Sequence, residues 1–287
     1  ALTGLAVLVF GLAPQPTRTR QPIELALLGG AVFGAGAATN GGCSLSTLHR
    51  LVDGELGMLA TLAGFAVGVS ALLWALPEGT AMSLAPAASP WLHWPALAPW
   101  AGGLLLAWTV WQARALWQLA RLRPFATLRS RLLTPAYHLS VSAALMGLAA
   151  GLLYATQGAW SYTNFLRTEV LHHFSHATAP STWHGVLVAG LLAGMVASAL
   201  ERRSVAWRRP ARLAGWSRHA GGGALMGLGA ALVPGGNDTL LLSGLPTLAM
   251  TAFGSYVFML LGIGAVLWLR RRAHWPVPVV ACSPEGC

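Results

Sequence analysis

"GAVFGAGAATNGGCSLSTLHR", from Gly30 to Arg50, begins as a membrane helix and stops being one halfway along. Small apolar residues run to Ala38, and then Asn40, Gly41, Gly42 and Cys43 place polar groups and a thiol where a lipid-buried chain has use for neither. Composition sets the frame for that interruption. Of 287 residues, 55% are hydrophobic and 9% charged, against roughly a quarter charged in soluble domains. Apolar stretches of the length needed to cross about 30 Å of hydrocarbon recur along the chain, whereas a secretory signal would occur once, at the front. The chain reads as an all-α, polytopic membrane protein, a single transmembrane domain over residues 1–287. Its first half is about 1–120 and its second about 136–272, with a C-terminal tail at 273–287.

All 18 basic residues are arginine and the formal net charge is +10. In a soluble protein that excess would suggest nucleic acid; here the arginines lie between hydrophobic segments, where they orient the chain, so no nucleic-acid partner is expected and membrane lipid is. An apolar run ends near Ala13, and because the chain starts at Ala1 its first helix is expected to be cut short or processed. Pro14 to Pro22, with Arg18 and Arg20, lead into the apolar segment Ile23–Thr39, the break at Asn40–Ser44, a short piece ending at His49-Arg50, and a full helix over Leu56–Leu76. Residues 77–98 form a Pro-rich loop without arginine. Helices are expected over 99–120 and 136–156, with Arg121, Arg123, Arg129 and Arg131 between them. The positive-inside rule puts the first loop outside and the second inside; 157–184 then falls outside and the arginine-rich 201–218 inside. A second interrupted segment, Ala220–Leu245, a helix over Thr247–Leu269 and the stop Arg270-Arg271-Arg272 close the chain.

The two interrupted segments match. "GAVFGAGAATNGGCS" (Gly30–Ser44) aligns with "GALMGLGAALVPGGND" (Gly223–Asp238) when one extra residue is allowed before the second Gly-Gly. Gly34 and Gly36 pair with Gly227 and Gly229, Gly41-Gly42 with Gly235-Gly236, Cys43 with Asn237, and Ser44 with Asp238. At about 1.5 Å per residue, Ile23–Thr39 reaches about 25 Å and Ala220–Val233 about 21 Å, short of a crossing. The expectation is therefore two pseudo-symmetric halves, each with a broken or re-entrant helix, meeting at mid-membrane. The first fits more easily as a re-entrant turn, and the second must cross if residues 219 and 270 both face the cytoplasm.

Non-helical backbone at that depth is tolerated only where protein or a polar cavity satisfies it, and paired interruptions in two halves point to a transporter's central site. Glycine pairs let backbone N–H groups converge, and helices restarting near Ser44 and Asp238 aim positive dipole ends into the gap, so the ligand is expected to be an anion. The candidate substrate-binding residues are Gly41, Gly42, Cys43, Ser44, Gly235, Gly236, Asn237 and Asp238. Asp238 reads equally as a functional intramembrane acid and as the cap of the helix that follows it. Cys43 has no base in local reach, since His49 lies about 240° around a helix, so no catalytic residue and no enzyme activity is expected. Its thiol can donate a weak hydrogen bond to a soft anion.

At these residues the sequence resembles the YeeE/YedE family of bacterial inner-membrane proteins, a sulfur-transport group that includes thiosulfate uptake proteins. The resemblance rests on Gly-x-Gly followed by Asn40-Gly41-Gly42-Cys43-Ser44, and on "LMGLGAALVPGGNDTLLL" from Leu225 to Leu242. It implies a multi-pass protein of the bacterial inner membrane whose pseudo-symmetric body is pinched at mid-membrane, where thiosulfate passes by weak contacts with thiols and backbone amides. Cys43 fits one such thiol. Asn237 stands where a symmetric second cysteine would lie, which leaves room for a related sulfur or selenium anion.

Three other features have plainer readings beside them. His172 and His176 share a helical face at i, i+4 with Glu169 nearby, a spacing open to metal; flanked by Trp160, Tyr162 and Trp183, the segment reads rather as an interfacial amphipathic helix. No metal or other cofactor is expected. Cys282 and Cys287, on a tail expected to be disordered, are exposed thiols that could receive sulfur. The alternative function is accordingly a membrane-bound sulfur-relay or redox protein using Cys43 or the C-terminal cysteines, and a third is a non-transporting scaffold. A small inorganic anion is the expected substrate, and a cytoplasmic sulfur-carrier protein is a candidate partner.

Overall fold

The computed structural model describes residues 23–75, 96, 98–122, 139–157, 160–175, 179–233, 235–245 and 249–275. The apolar run to Ala13, Arg18, Arg20, most of the Pro-rich loop, Arg123, Arg129, Arg131, His176, Cys282 and Cys287 lie outside them. Regular structure among the described residues is helical, apart from one isolated bridge between Glu55 and Arg208. In chain order the helices are α1 (Ile23–Asn40), α2 (Ser44–Val52), α3 (Gly57–Ala75), α4 (Ala98–Leu122), α5 (Leu139–Gln157), α6 (Tyr162–Ser175), α7 (Thr182–Glu201) and α8 (Leu213–Leu232). There follow the single turn α9 (Asn237–Thr239), which widens into π-helical geometry over Leu240–Gly244, and α10 (Met250–Arg272).

Length and composition make Ile23–Val52, Thr182–Glu201 and Thr251–Arg272 candidate membrane spans; Leu213–Leu232 with Asn237–Gly244 is a fourth if that pair, bent by 42°, is one span. By length and composition the first segment, α1 with α2, is a single 30-residue candidate span. One expectation needs correcting. The second segment is not short, because α8 starts at Leu213 rather than Ala220 and its 20 residues reach about 30 Å. Arg218 and His219 belong to its first turns, where polar residues hide a helix start from a hydropathy reading.

Four helices make the centre: α8 packs against α1 and α3, and α1 also packs against α10. Without a hydrophobic drive between helices in lipid, close backbone approach through small residues is what holds them. A Cβ added to Gly30 would lie 2.2 Å from the Ser255 carbonyl oxygen, and one added to Gly34 2.0 Å from that of Met259, both on α10. On α8, a Cβ at Gly223 or Gly227 would lie 2.0 or 2.1 Å from the Thr61 or Phe65 carbonyl of α3. Gly36 of α1 and Gly229 of α8 abut each other's helices. Phe33, Phe65, Val69, Met226, Ala230 and Met259 fill the remaining space. The periphery is apolar outward: Trp100, Leu104, Trp108 and Trp111 of α4 are exposed, as a lipid-facing surface requires.

The turn between α2 and α3 is pinned to the arginine-rich segment before α8. Asp53 O accepts from Ala206 N at 2.9 Å, Gly54 O from Arg208 N at 2.8 Å, and Asp53 Oδ1 from Ser204 Oγ at 2.6 Å. The two segments therefore share one end of the molecule.

Candidate functional site

At the first break α1 ends in a glycine turn. Gly41 has φ 84°, and the Gly41 and Gly42 amides both donate to Ala37 O at 2.9 Å. Asn40, 1% exposed, is fully committed: Nδ2 donates to Gly42 O (3.2 Å) and Thr47 Oγ1 (3.1 Å), while Oδ1 accepts from Thr61 Oγ1 (2.8 Å) and lies 2.8 Å from His219 Nδ1. Buried polar atoms satisfied in this way make Asn40 the clamp of the break rather than a group open to a ligand. Cys43 is the N-cap of α2, in extended conformation, with no side-chain cap bond. Its carbonyl accepts from Thr47 N, Thr47 Oγ1 and Ser46 Oγ at 3.0, 3.0 and 2.8 Å, which fixes the backbone. The thiol is free and half-buried, with no hydrogen-bond partner among the described residues.

The second break is built differently. Gly235, with φ 103°, and Gly236 are both buried. Gly235 N donates to Ala230 O at 3.3 Å and Gly236 N to Thr239 Oγ1 at 3.2 Å. A Cβ on Gly236 would lie 2.6 Å from Thr163 Cγ2 and 2.9 Å from the Phe33 ring, so the space is closed. Asn237 is half-buried and Asp238 buried.

What joins the breaks is the start of α6. Asp238 Oδ2 accepts from Thr163 N at 2.9 Å, and Ser44 Oγ and Thr163 Oγ1 are hydrogen-bonded at 2.7 Å. Ser161 Oγ and Thr239 Oγ1 form a second hydroxyl pair, and Asn164 N donates to Ser161 Oγ at 3.2 Å. Asp238 thus caps a helix, but α6 rather than the one it begins; its other oxygen has no partner among the described residues. Of the eight candidate residues, Ser44, Gly236 and Asp238 converge on Thr163, and α2 lies against α9. No hydrogen bond among the described residues joins Cys43 to Asn237.

The sequence reading placed an interfacial amphipathic helix in this stretch, flanked by Trp160, Tyr162 and Trp183, and missed its burial. One face of α6 is shielded over its first three turns: Tyr162, Thr163, Arg167, Val170 and Leu171 are buried, as is Ser161 just before them. Arg167 Nη1 donates to Asn164 Oδ1 at 3.2 Å while its Nε is buried without a partner among the described residues. The available signal was the polar run Ser161–Asn164 and the i, i+4 pair Thr163/Arg167 set between aromatics. At the other end, His173 is exposed and pairs with Glu169 at 3.6 Å. No group of three or more His, Cys, Asp or Glu among the described residues could hold a metal ion.

A glycine-packed helical body, apolar on its outside and broken twice around a polar centre, defines an integral membrane protein. The chain belongs to the Sulphur transport family, whose sequence profile matches residues 1–265. It is similar to "Thiosulfate transporter TsuA" of Spirochaeta thermophila, with 24% identity over 295 residues that take in 88% of this chain and 80% of that protein.

Proposed function

We propose that the protein is a permease for a small sulfur-containing anion, thiosulfate or a related sulfur or selenium species. The anion passes the constriction at the first break by weak hydrogen bonds to the Cys43 thiol and to the backbone amides that start α2 at Ser44. Gly41, Gly42, Gly235 and Gly236, whose own amides are engaged, shape the two turns, and Asn237 stands at the second break. One observation carries this: the free Cys43 thiol sits, half-buried, at the N-terminus of α2, which no side chain caps. Unfilled N–H groups and the positive end of the helix dipole favour an anion, and a polarizable thiol suits a soft sulfur atom. Asp238 acts on the site through Thr163, since a buried carboxylate in contact with a dianion would repel it. No covalent step is involved. The thiosulfate transport named for the relative and the family's sulfur transport both favour this substrate class.

The body is one transmembrane domain in two pseudo-symmetric halves, set in a bacterial inner membrane with its arginine-rich end in the cytoplasm, where a sulfur-carrier protein would take up the product. Glycine positions support the duplication. Gly30 and Gly34 meet carbonyls of α10 while Gly223 and Gly227, each 193 residues on, meet carbonyls of α3. Each broken helix thus packs on the full helix of the other half. Uptake into proteoliposomes from a panel of thiosulfate, sulfite, sulfate and selenite tests the reading. Saturable thiosulfate entry supports it; no entry of any of the four, or persulfide on Cys43 in place of uptake, would replace it with a scaffold or a sulfur relay.

A further inference from the structure

A cavity of about 660 Å³ opens where the Asp53–Leu56 turn meets the start of α8, and its ionisable lining is almost all of one sign. Arg50, Arg208, Arg209, Arg212 and Arg218 line it against a single carboxylate, Glu55. Glu55 Oε2 accepts from Arg50 Nε at 2.9 Å and Nη2 at 2.6 Å, and Oε1 lies 3.9 Å from Arg208 Nη1. One acid is thereby spent on two guanidiniums, while Arg209, Arg212 and Arg218 have no acidic partner among the described residues. A second, independent feature points the same way. Ala214 and Gly215, in the first turn of α8, also line the cavity, and the N-cap of that 20-residue helix, Arg212, is extended and makes no side-chain cap bond. Gly215 N donates to Arg212 O at 2.9 Å, which leaves Leu213 and Ala214 as the first-turn amides without an intrahelical acceptor, and the helix dipole presents positive charge to the same space.

We propose that this cavity is a binding site for a tetrahedral oxyanion, either a free dianion of the sulfate or thiosulfate kind or the phosphate of a lipid headgroup. Guanidinium forks match the oxygen geometry of such groups. The rest of the lining is Gly57, Pro210, Ala211, Ala214, Gly215 and His219, with no Trp, Tyr or Phe on which a base could stack, so a nucleotide is disfavoured. The cavity adjoins the first break through Asn40: Arg50 Nη1 donates to Asn40 O at 3.3 Å, and His219, in the cavity wall, contacts the Asn40 side chain. Its place on the anion's route, as the stop after the constriction, rests on the permease reading; the site itself does not.

The full-length protein in phosphatidylcholine nanodiscs, titrated with radiolabelled sulfate, tests the site. Saturable binding is expected, weakened at least about tenfold by Arg212→Gln/Arg218→Gln. Arg271→Gln/Arg272→Gln removes equal charge outside the cavity and should shift it less than about twofold. Both pairs are exposed, and an unchanged melting temperature verifies folding. Repeating the titration with phosphatidylglycerol separates the sources: competition assigns the site to headgroup phosphate, no competition to the free ion, and both keep it. Binding absent from the unaltered protein, or equal in the cavity variant, overturns it. Thiosulfate uptake is read separately, so a chain that binds sulfate here but imports nothing retires the permease and leaves the site.

Discussion

The two breaks share a glycine pair and a left-handed turn, yet the first is open and the second closed. Gly41, Gly42 and Cys43 are half-buried, with a thiol that nothing engages; Gly235 and Gly236 are buried and backed by Thr163, Thr239 and the Phe33 ring. The same local device therefore has two uses. In the first it ends α1 and sets a soft atom at the uncapped start of α2, and in the second it lets a chain reversal pack tightly enough to hold α6 in place. Residues at the second break should then matter chiefly for stability, and those at the first chiefly for passage of the anion.

The largest stability difference is expected between Gly235 and Gly42, one glycine from each pair. Gly235→Ala puts a β-carbon on a residue at φ 103° and 1.9 Å from Thr239 Oγ1, which should cost about 3 kcal/mol or more and lower the melting temperature sharply. Gly42→Ala meets only the Ser46 hydroxyl, at 2.2 Å, which can rotate away from a carbonyl that keeps two other donors. A loss of about 1 kcal/mol or less is expected there. Equal losses would mean that the breaks are not divided as described.

Asp238→Ala comes next. It strips Thr163 N of its acceptor inside the protein, for an expected loss of about 1–3 kcal/mol, and Asp238→Asn, which keeps an acceptor oxygen, should recover most of it. An Asp238→Asn variant as unstable as Asp238→Ala would show that the charge, not the cap, is what the site needs. Smallest is Thr163→Val, which keeps the backbone donor but cuts the hydroxyl tie to Ser44 at 2.7 Å. A double-mutant cycle with Ser44→Ala should give a coupling of about 0.5–1.5 kcal/mol; additivity would mean that the breaks are only neighbours.

Much of this was legible in the chain, and the remainder failed for identifiable reasons. Glycine pairs inside apolar runs announce interruptions because a left-handed turn favours glycine, so Asn40–Ser44 and Gly235–Asp238 were found from residues alone. The start of α8 was missed by seven residues because Arg212, Arg218 and His219 read as loop, although they sit where the helix meets the polar cavity. Burial of α6 was invisible for a deeper reason. Its sequence is evenly polar and apolar, which suits a surface, and what makes burial affordable is a carboxylate 75 residues away and a hydroxyl 119 residues away. Periodicity carries no record of such partners. Asn40 and Asp238 stand at the two breaks, where one is a clamp and the other the cap of a remote helix.

The central claim is that the Cys43 thiol itself meets the anion. Initial thiosulfate uptake should be compared in proteoliposomes holding equal amounts of the unaltered protein, Cys43→Ala and Cys43→Ser, with melting temperatures checked for each. Alanine removes the thiol at little cost to the fold, since no hydrogen bond of the side chain is lost, and uptake should fall at least about tenfold. Serine keeps a donor of nearly the same size, so partial uptake would assign the role to hydrogen bonding and full loss to the softness of sulfur. Uptake by Cys43→Ala at the unaltered rate would contradict the account, leaving the thiol as packing and the first break as glycines alone.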